Sequence, residues 1–459
     1  MKHDHHSTNP SHHDPASFRD PSGFVFTKDG VLYRQVNEQY ARSYDLLMRS
    51  GLYDELVRKE YLVPHEEVPA THGAYKLLKP ERIPFISYPY EWCFSELRDA
   101  ALLTLKVQKL ALKFGMTLKD ASAYNIQFRR GKPVLIDTLS FEPYAEGAPW
   151  VAYRQFCGHF LAPLALMSFR DIRLSQLLRI HLDGIPLDLA SRLLPWKSWF
   201  NAGAFFHIHM HARSARAYAA RSAQPTRASV DRGALEKLVH HLRTSVASLR
   251  WEPGRTLAGH GGASDPVPNM QETRHEVRRW ITAAKPKTIW DIGMDGDPSV
   301  EAGGDWDVPT VAFHRDAAAA ERAYLATRET GGKDLLPLVL DITNPSPALG
   351  WANKERAVLT ARGPADLVVA LDAIHHLAIG NNVPLAMIAE LFAAFGARLI
   401  IEFVPKDDPA VEQLLRSRAD IFDRYSDEEF QKAFAAQFTI HESQPISGTK
   451  RTLYFMERR

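Results

Sequence analysis

The chain has 459 residues, 45% of them hydrophobic and 24% charged, and a formal net charge of +2. That composition is globular and long enough for two or three domains, which excludes wholesale disorder, a collagen-like chain and a coiled coil. A near-neutral balance gives no general attraction to nucleic acid or a membrane, and two cysteines, Cys93 and Cys157, are too few for a disulfide framework or a four-cysteine zinc site. The pair suits a reducing cytosol, so a cytoplasmic protein is expected.

The opening stretch, MKHDHHSTNPSHHD, has no apolar h-region, and no signal peptide is expected. Residues 1–22 are His, Asp, Ser and Pro with little to bury, which predicts a disordered tail whose histidines His3, His5, His6, His12 and His13 are solvated. From Gly23 two β-rich runs flank Asp29-Gly30, a strong hairpin signal. Residues 37–62 have helical spacing, with Tyr40, Tyr44, Leu47 and Met48 near one face. A short strand is predicted around Phe85 to Tyr88, then a long helix over Ser95 to Phe114. A loop follows, then a strand at Ile126 to Phe128, a turn at Arg130-Gly131, and a strand at Pro133 to Ile136.

The stretch from about 166 to 250 reads as helical. It holds thirteen Lys or Arg against five acids, a local net of +8. Such a face meets an anionic partner or the acidic remainder of the chain. It lacks the aromatic interleaving of nucleic-acid stacking platforms, so nucleic acid is not expected. The most apolar run, Phe160 to Met167, falls far short of the ~20 residues that span a bilayer, and no membrane partner is expected. Residues 251–269 are rich in Gly and Pro and read as a linker. Beyond it, strands are predicted at 288–293, 309–314, 335–341, 366–371, 398–404, 438–443 and 451–457. Helical patterns separate the first five, which argues a parallel doubly wound sheet, and the last two form an antiparallel hairpin at one edge.

Seven strands ending in a hairpin resemble the class I S-adenosylmethionine-dependent methyltransferases, an α/β, Rossmann-like fold, over residues 270–459. KPKTIWDIG, DITNPSPALGW, ADLVVALDAIHHLAIGNNVPL and LIIEFVPKDDPAVEQLL resemble more narrowly the family that includes a host-specificity nodulation protein. The resemblance implies S-adenosylmethionine as cofactor. The loop carrying Asp291 and Gly293 would cradle its methionine part; Asp341 would accept from the adenine amino group, with Ile342 beside it; Ala370 and Leu371 would lie near the sulfonium. This chain departs from the family in two places. DIGMDGD has Asp295 and Asp297 where small residues and a third glycine are usual, and His314 replaces the acid that meets the ribose hydroxyls, with Asp316 as a substitute. His375 and His376, after the fourth strand, are candidate general bases with an ordinary pKa near neutrality, and Glu402 is a further candidate.

In the other half, Asp120 and Asn125 have the D-x-x-x-x-N spacing of a kinase catalytic loop, and Asp137 follows a short hairpin. Together with the opening hairpin, Arg34 on its second strand and a hinge-like YPYEW at 88–92, residues 23–250 resemble the α+β protein-kinase-like and aminoglycoside-phosphotransferase-like fold. That resemblance implies Asp120 as base and Asn125 and Asp137 as ligands of Mg in Mg-ATP. Leu118-Lys119 and Thr138-Leu139 replace the usual flanking residues, and no Gly-rich loop is present. The expectation is therefore methyl transfer to a small-molecule, glycan or protein acceptor. Phosphotransfer and a catalytically silent scaffold are the alternatives.

Overall fold

Alternation and turn chemistry build the first half. The computed structural model describes residues 12–70, 73–213, 229–253, 270–293, 308–331, 334–416 and 418–459. Strands β2 (Gly23–Lys28) and β3 (Val31–Val36) pair with Lys28 opposite Val31. Asp29 and Gly30 between them both have positive φ, 51° and 77°, the two-residue turn that matches strand twist. With β1 (His12–His13), β4 (His65–Val68) and β5 (Lys76–Pro80) they form an antiparallel sheet in the order β1-β2-β3-β5-β4. The helical stretch is broken into α1 (Ala41–Arg49) and α2 (Leu52–Arg58) at Gly51, whose φ of 81° no helix accepts.

Helix α3 (Phe94–Lys113) lies where its periodicity puts it. After it, β6 (Met116–Leu118) pairs with β9 (Phe141–Pro143), and β7 (Ile126–Arg129) forms a hairpin with β8 (Lys132–Leu135) through Arg130 and Gly131.

Two expectations fail here. Residues 85–88 are not a strand: prolines flank them at 84 and 89, and the Ser87 N–H bonds the Gln127 side chain at 2.9 Å instead of a ladder. Residues 12–22 are ordered rather than a free tail. His13 stacks on Phe24 at 4.3 Å, Asp14 N–H bonds Val25 O at 2.9 Å, and Arg19 reaches Glu355 at 2.7 Å.

The second half is a seven-stranded sheet. Its strands are β10 (Ile289–Gly293), β11 (Thr310–His314), β12 (Leu335–Val339), β13 (Ala365–Ala370), β14 (Gly396–Phe403), β15 (Phe438–Pro445) and β16 (Thr452–Arg458). The order is β12-β11-β10-β13-β14-β16-β15. The first five are parallel and β16 is antiparallel to both neighbours. Strands β10, β11 and β13 are buried on both faces, as a covered parallel sheet requires, whereas the edge strand β15 alternates. Helix α4 (Met270–Ala284) precedes β10, α5 (Ala317–Thr330) joins β11 to β12, and α6 (Leu385–Phe395) joins β13 to β14. The expected helix between β12 and β13 is two short 3-10 turns, 351–353 and 359–362, in a stretch broken by Pro345, Pro347 and Pro364.

The halves share one apolar core. Phe85 packs edge-on against Trp290 at 5.6 Å and Phe313 at 6.0 Å, and Phe128 meets Tyr324 at 6.0 Å. Ser95 donates through its N–H and hydroxyl to Glu321 at 2.9 and 2.5 Å, and Asp99 accepts from Tyr324 and Arg328, each at 2.9 Å. Among the described residues, no helix is long and apolar enough to cross a membrane.

Candidate functional site

Parallel register levels the carboxyl ends of the strands. Gly293 stands opposite His314, and His314 opposite Val339. Asp291, one turn of the pleat inside, and His314 are both buried, at 1% and 2% exposure. Asp341 follows β12 and is partly exposed. Its Oδ1 accepts from the Thr343 N–H and hydroxyl at 2.9 and 2.7 Å, and its Oδ2 lies 3.5 Å from Arg315 Nε. Ile342 beside it is buried, so this corner offers a partly exposed acceptor next to an apolar floor. Asp316 instead caps α5 by accepting from the Ala318 N–H at 3.0 Å. Asp295 and Asp297 lie outside the described residues, as do most of the expected linker (254–269) and His3, His5 and His6.

Leu371 follows β13 and is buried, and the turn after it holds a dense polar cluster. Asp372 has φ 53°, and its N–H donates to Glu402 Oε2 at 2.9 Å. Arg451, just before β16, donates through Nη1 to Asp372 Oδ1 at 3.0 Å and to Glu402 Oε2 at 3.4 Å. It also holds both oxygens of Asp408, at 2.8 and 3.0 Å. Burial opposes ionisation of Asp372, but His376, His375 and Arg451 together hold it below the ordinary carboxylate range. Burial pushes Glu402 up to about 7, partly offset by Arg451. The two histidine rings lie 4.2 Å apart, tilted by 38°; burial holds His375 down to about 3, as a neutral imidazole. His376 is the more accessible of the pair, with 15% side-chain exposure. Arg451, Asp372 and Asp408 carried no signal in the sequence, since Arg451 is 79 positions from Asp372 and 43 from Asp408.

In the first half, Asp120, Asn125 and Asp137 do come to one place, but each is engaged. Asp120 Oδ1 accepts from the Ser122 N–H at 2.9 Å and from Gln155 Nε2 at 2.8 Å. Burial, then the Asp137 charge, raises its pKa. Asn125 donates to Ser140 Oγ at 3.2 Å. Asp137 accepts from the Ser140 hydroxyl at 2.6 Å and the Leu139 N–H at 3.0 Å, and Arg34 forms a short ion pair with it. The carboxylate expected to hold Mg is therefore closed by a guanidinium and its own loop.

No family model matches the chain. The nodulation protein NoeA of Rhizobium meliloti (strain 1021) is 34% identical over 462 aligned residues, covering 96% of this chain and 95% of that protein. Among solved structures, the N-methyltransferase NodS from Bradyrhizobium japonicum WM9, in complex with S-adenosyl-L-homocysteine, is similar over 41% of this chain and 86% of its own. Its identity is 12% and its TM-score 0.31. The bifunctional kinase-methyltransferase WbdD is similar over 43% of this chain and 40% of its own, at 14% identity and a TM-score of 0.30.

Proposed function

The chain belongs to the family of the nodulation protein NoeA, and on that premise we propose that it transfers a methyl group from S-adenosylmethionine at the carboxyl edge of its seven-stranded sheet. The observation that carries this reading is the level row of strand ends at the switch between β10 and β13, where an open parallel sheet binds its ligand. The donor set fits: a partly exposed carboxylate at Asp341 against the buried Ile342, and polar groups at Asp291 and His314.

S-adenosylmethionine supplies an electrophilic methyl group on a sulfonium. The backbone at Asp291 and Gly293 holds its amino-acid part. With the Asp316 carboxylate spent on a helix cap, the ribose hydroxyls fall to His314, which forms hydrogen bonds without the strength a carboxylate would add. Asp341 accepts from the adenine amino group, and Leu371 floors the site near the reacting centre. The acceptor is a small molecule, a glycan or a protein, and the reaction is an in-line displacement in which positioning carries much of the rate. Where the acceptor must lose a proton, His376 is the better placed base, because His375 is sealed from solvent.

We assign this chemistry to residues 270–459, with residues 23–250 as the supporting half, in a cytoplasmic protein. Phosphotransfer is not favoured, because Arg34 occupies the carboxylate of Asp137. Calorimetric titration of the full chain with S-adenosylhomocysteine tests the reading. One saturable site is expected; no heat of binding at millimolar ligand would reject it.

A further inference from the structure

The turn after β13 places a carboxylate between two imidazoles. Asp372 adopts the left-handed backbone region, with φ 53°, which side chains other than Asn and Asp seldom accept. His375 Nε2 lies 3.8 Å from its Oδ1 and His376 Nε2 lies 3.7 Å from its Oδ2. One ligand atom from each of the three residues lies within 4.8 Å of the others. Two atoms bound to one ion at ~2.1 Å, roughly 110–130° apart, are themselves roughly 3.4–3.8 Å apart. The His376 Nε2–Oδ2 spacing is that of two ligands around a common ion, and a His375 ring nitrogen stands within reach of the same point.

A second observation is independent of the spacing. His375 is fully buried, and neither ring nitrogen has a hydrogen-bond partner. Glu402 is 1% exposed, and its Oε1 also has none. Buried polar atoms are nearly always satisfied, so three orphans in one cluster mark the place of a missing species. The charges agree. Asp372, Glu402 and Asp408 all face Arg451, three carboxylates against one guanidinium. A bound cation offsets that excess of negative charge.

We infer that Asp372, His375 and His376 form a binding site for a divalent transition-metal ion. Two imidazoles and one carboxylate are the donor set of many zinc and related first-row sites, and they leave coordination positions open. Arg451 holds Oδ1 of Asp372, which leaves Oδ2 as the ligand oxygen. Asp372 and His376 keep 17% and 15% side-chain exposure, so the ion enters from solvent. With the ion bound, His376 is a ligand and no longer the base; an open position would instead take an oxygen or nitrogen donor of the methyl acceptor and ease loss of its proton, a role that rests on the methyl-transfer reading, whereas the binding of the ion does not.

The test is a Co2+ titration of the chelator-stripped full chain, followed by the visible d–d absorption of bound cobalt. The wild type should give an intense band that saturates near one equivalent and disappears when Zn2+ is added. Asp372→Asn keeps a residue that tolerates the left-handed backbone, and His376→Gln changes a partly exposed position, so both should retain the wild-type far-UV circular dichroism. Each should weaken cobalt binding at least tenfold, while the histidines at the start of the chain remain as a constant background. No intense band, or a band unchanged in both variants, overturns the site. S-adenosylhomocysteine affinity measured on the same samples separates a failure of the metal site from a failure of the methyl-transfer reading.

Discussion

Arg362 grips both oxygens of Glu91, at 2.6 and 2.8 Å, with both side chains buried. The guanidinium also lies over the rings of Phe85 and Tyr88, 4.9 and 4.7 Å from their centres, and Glu91 accepts from the Tyr88 N–H at 2.9 Å. The pair thus links the turn before α3 to the loop before β13. Removing one partner of a buried ion pair strands the other charge, at a cost of about 3–5 kcal/mol. Arg362→Met and Glu91→Gln should each lower the urea midpoint accordingly, with the slope unchanged. A loss below about 1 kcal/mol would show that the pair is not holding the halves together.

Cofactor affinity should respond at Asp341. Asp341→Ala deletes the proposed adenine acceptor and should weaken S-adenosylhomocysteine about tenfold, or about 1–2 kcal/mol. Because that carboxylate also braces Thr343 at 2.9 and 2.7 Å, Thr343→Val is the control. Equal losses in both variants would assign the effect to the loop rather than to the ligand.

Asp137 should matter for folding and not for nucleotide. Its replacement by Asn leaves Arg34 with a neutral partner in a mostly buried site and should cost about 2–3 kcal/mol. The wild type should show no magnesium-dependent ATP turnover. Turnover that Asp137→Asn abolishes, with the fold intact, would restore phosphotransfer as the leading activity.

Acid should weaken the fold partly through His65. Its Nε2 lies 3.1 Å from the Tyr44 hydroxyl, its Nδ1 has no partner, and burial holds its pKa down to about 4. The unfolded chain takes up that proton near 6.5, so between the two values the unfolded state binds more protons. The contribution of neutral His65 is complete above about 6.5 and is lost as pH falls towards 4. His65→Gln should flatten stability against pH in that window by at most about 1.4 kcal/mol per pH unit. Urea midpoints of both proteins between about pH 7 and 4.5 decide it; parallel curves would refute the assignment.

The long local signals were legible in the sequence. Strands such as β11 are apolar on both faces, and Asp29-Gly30 and Arg130-Gly131 name their own turns. The strands whose carboxyl ends lie near Asp291, His314 and Asp341 followed from them. The missed features depend on distant partners. Residues 12–22 look polar and free, yet Arg19 finds Glu355 and His13 finds Phe24. Strand β5 is five residues ending in proline, too short to show a period, and its pairing with β3 and β4 defines it. The Arg451 cluster assembles only when β16 pairs antiparallel to β14, which brings Glu402 opposite Leu453.

The common core of the two halves bears on how the chain reaches its native state. Ser95 and Glu321, which meet across it, are 226 positions apart. Contacts so remote in sequence form late, because the entropy of closing the loop is lost before the contacts compensate for it. A ribosome must release β10 and β11 before Phe85 can find Trp290 and Phe313, so until then the first half carries an uncovered aromatic face. Synthesis, rather than the finished molecule, is the stage at which this protein is most exposed to aggregation and to chaperone capture.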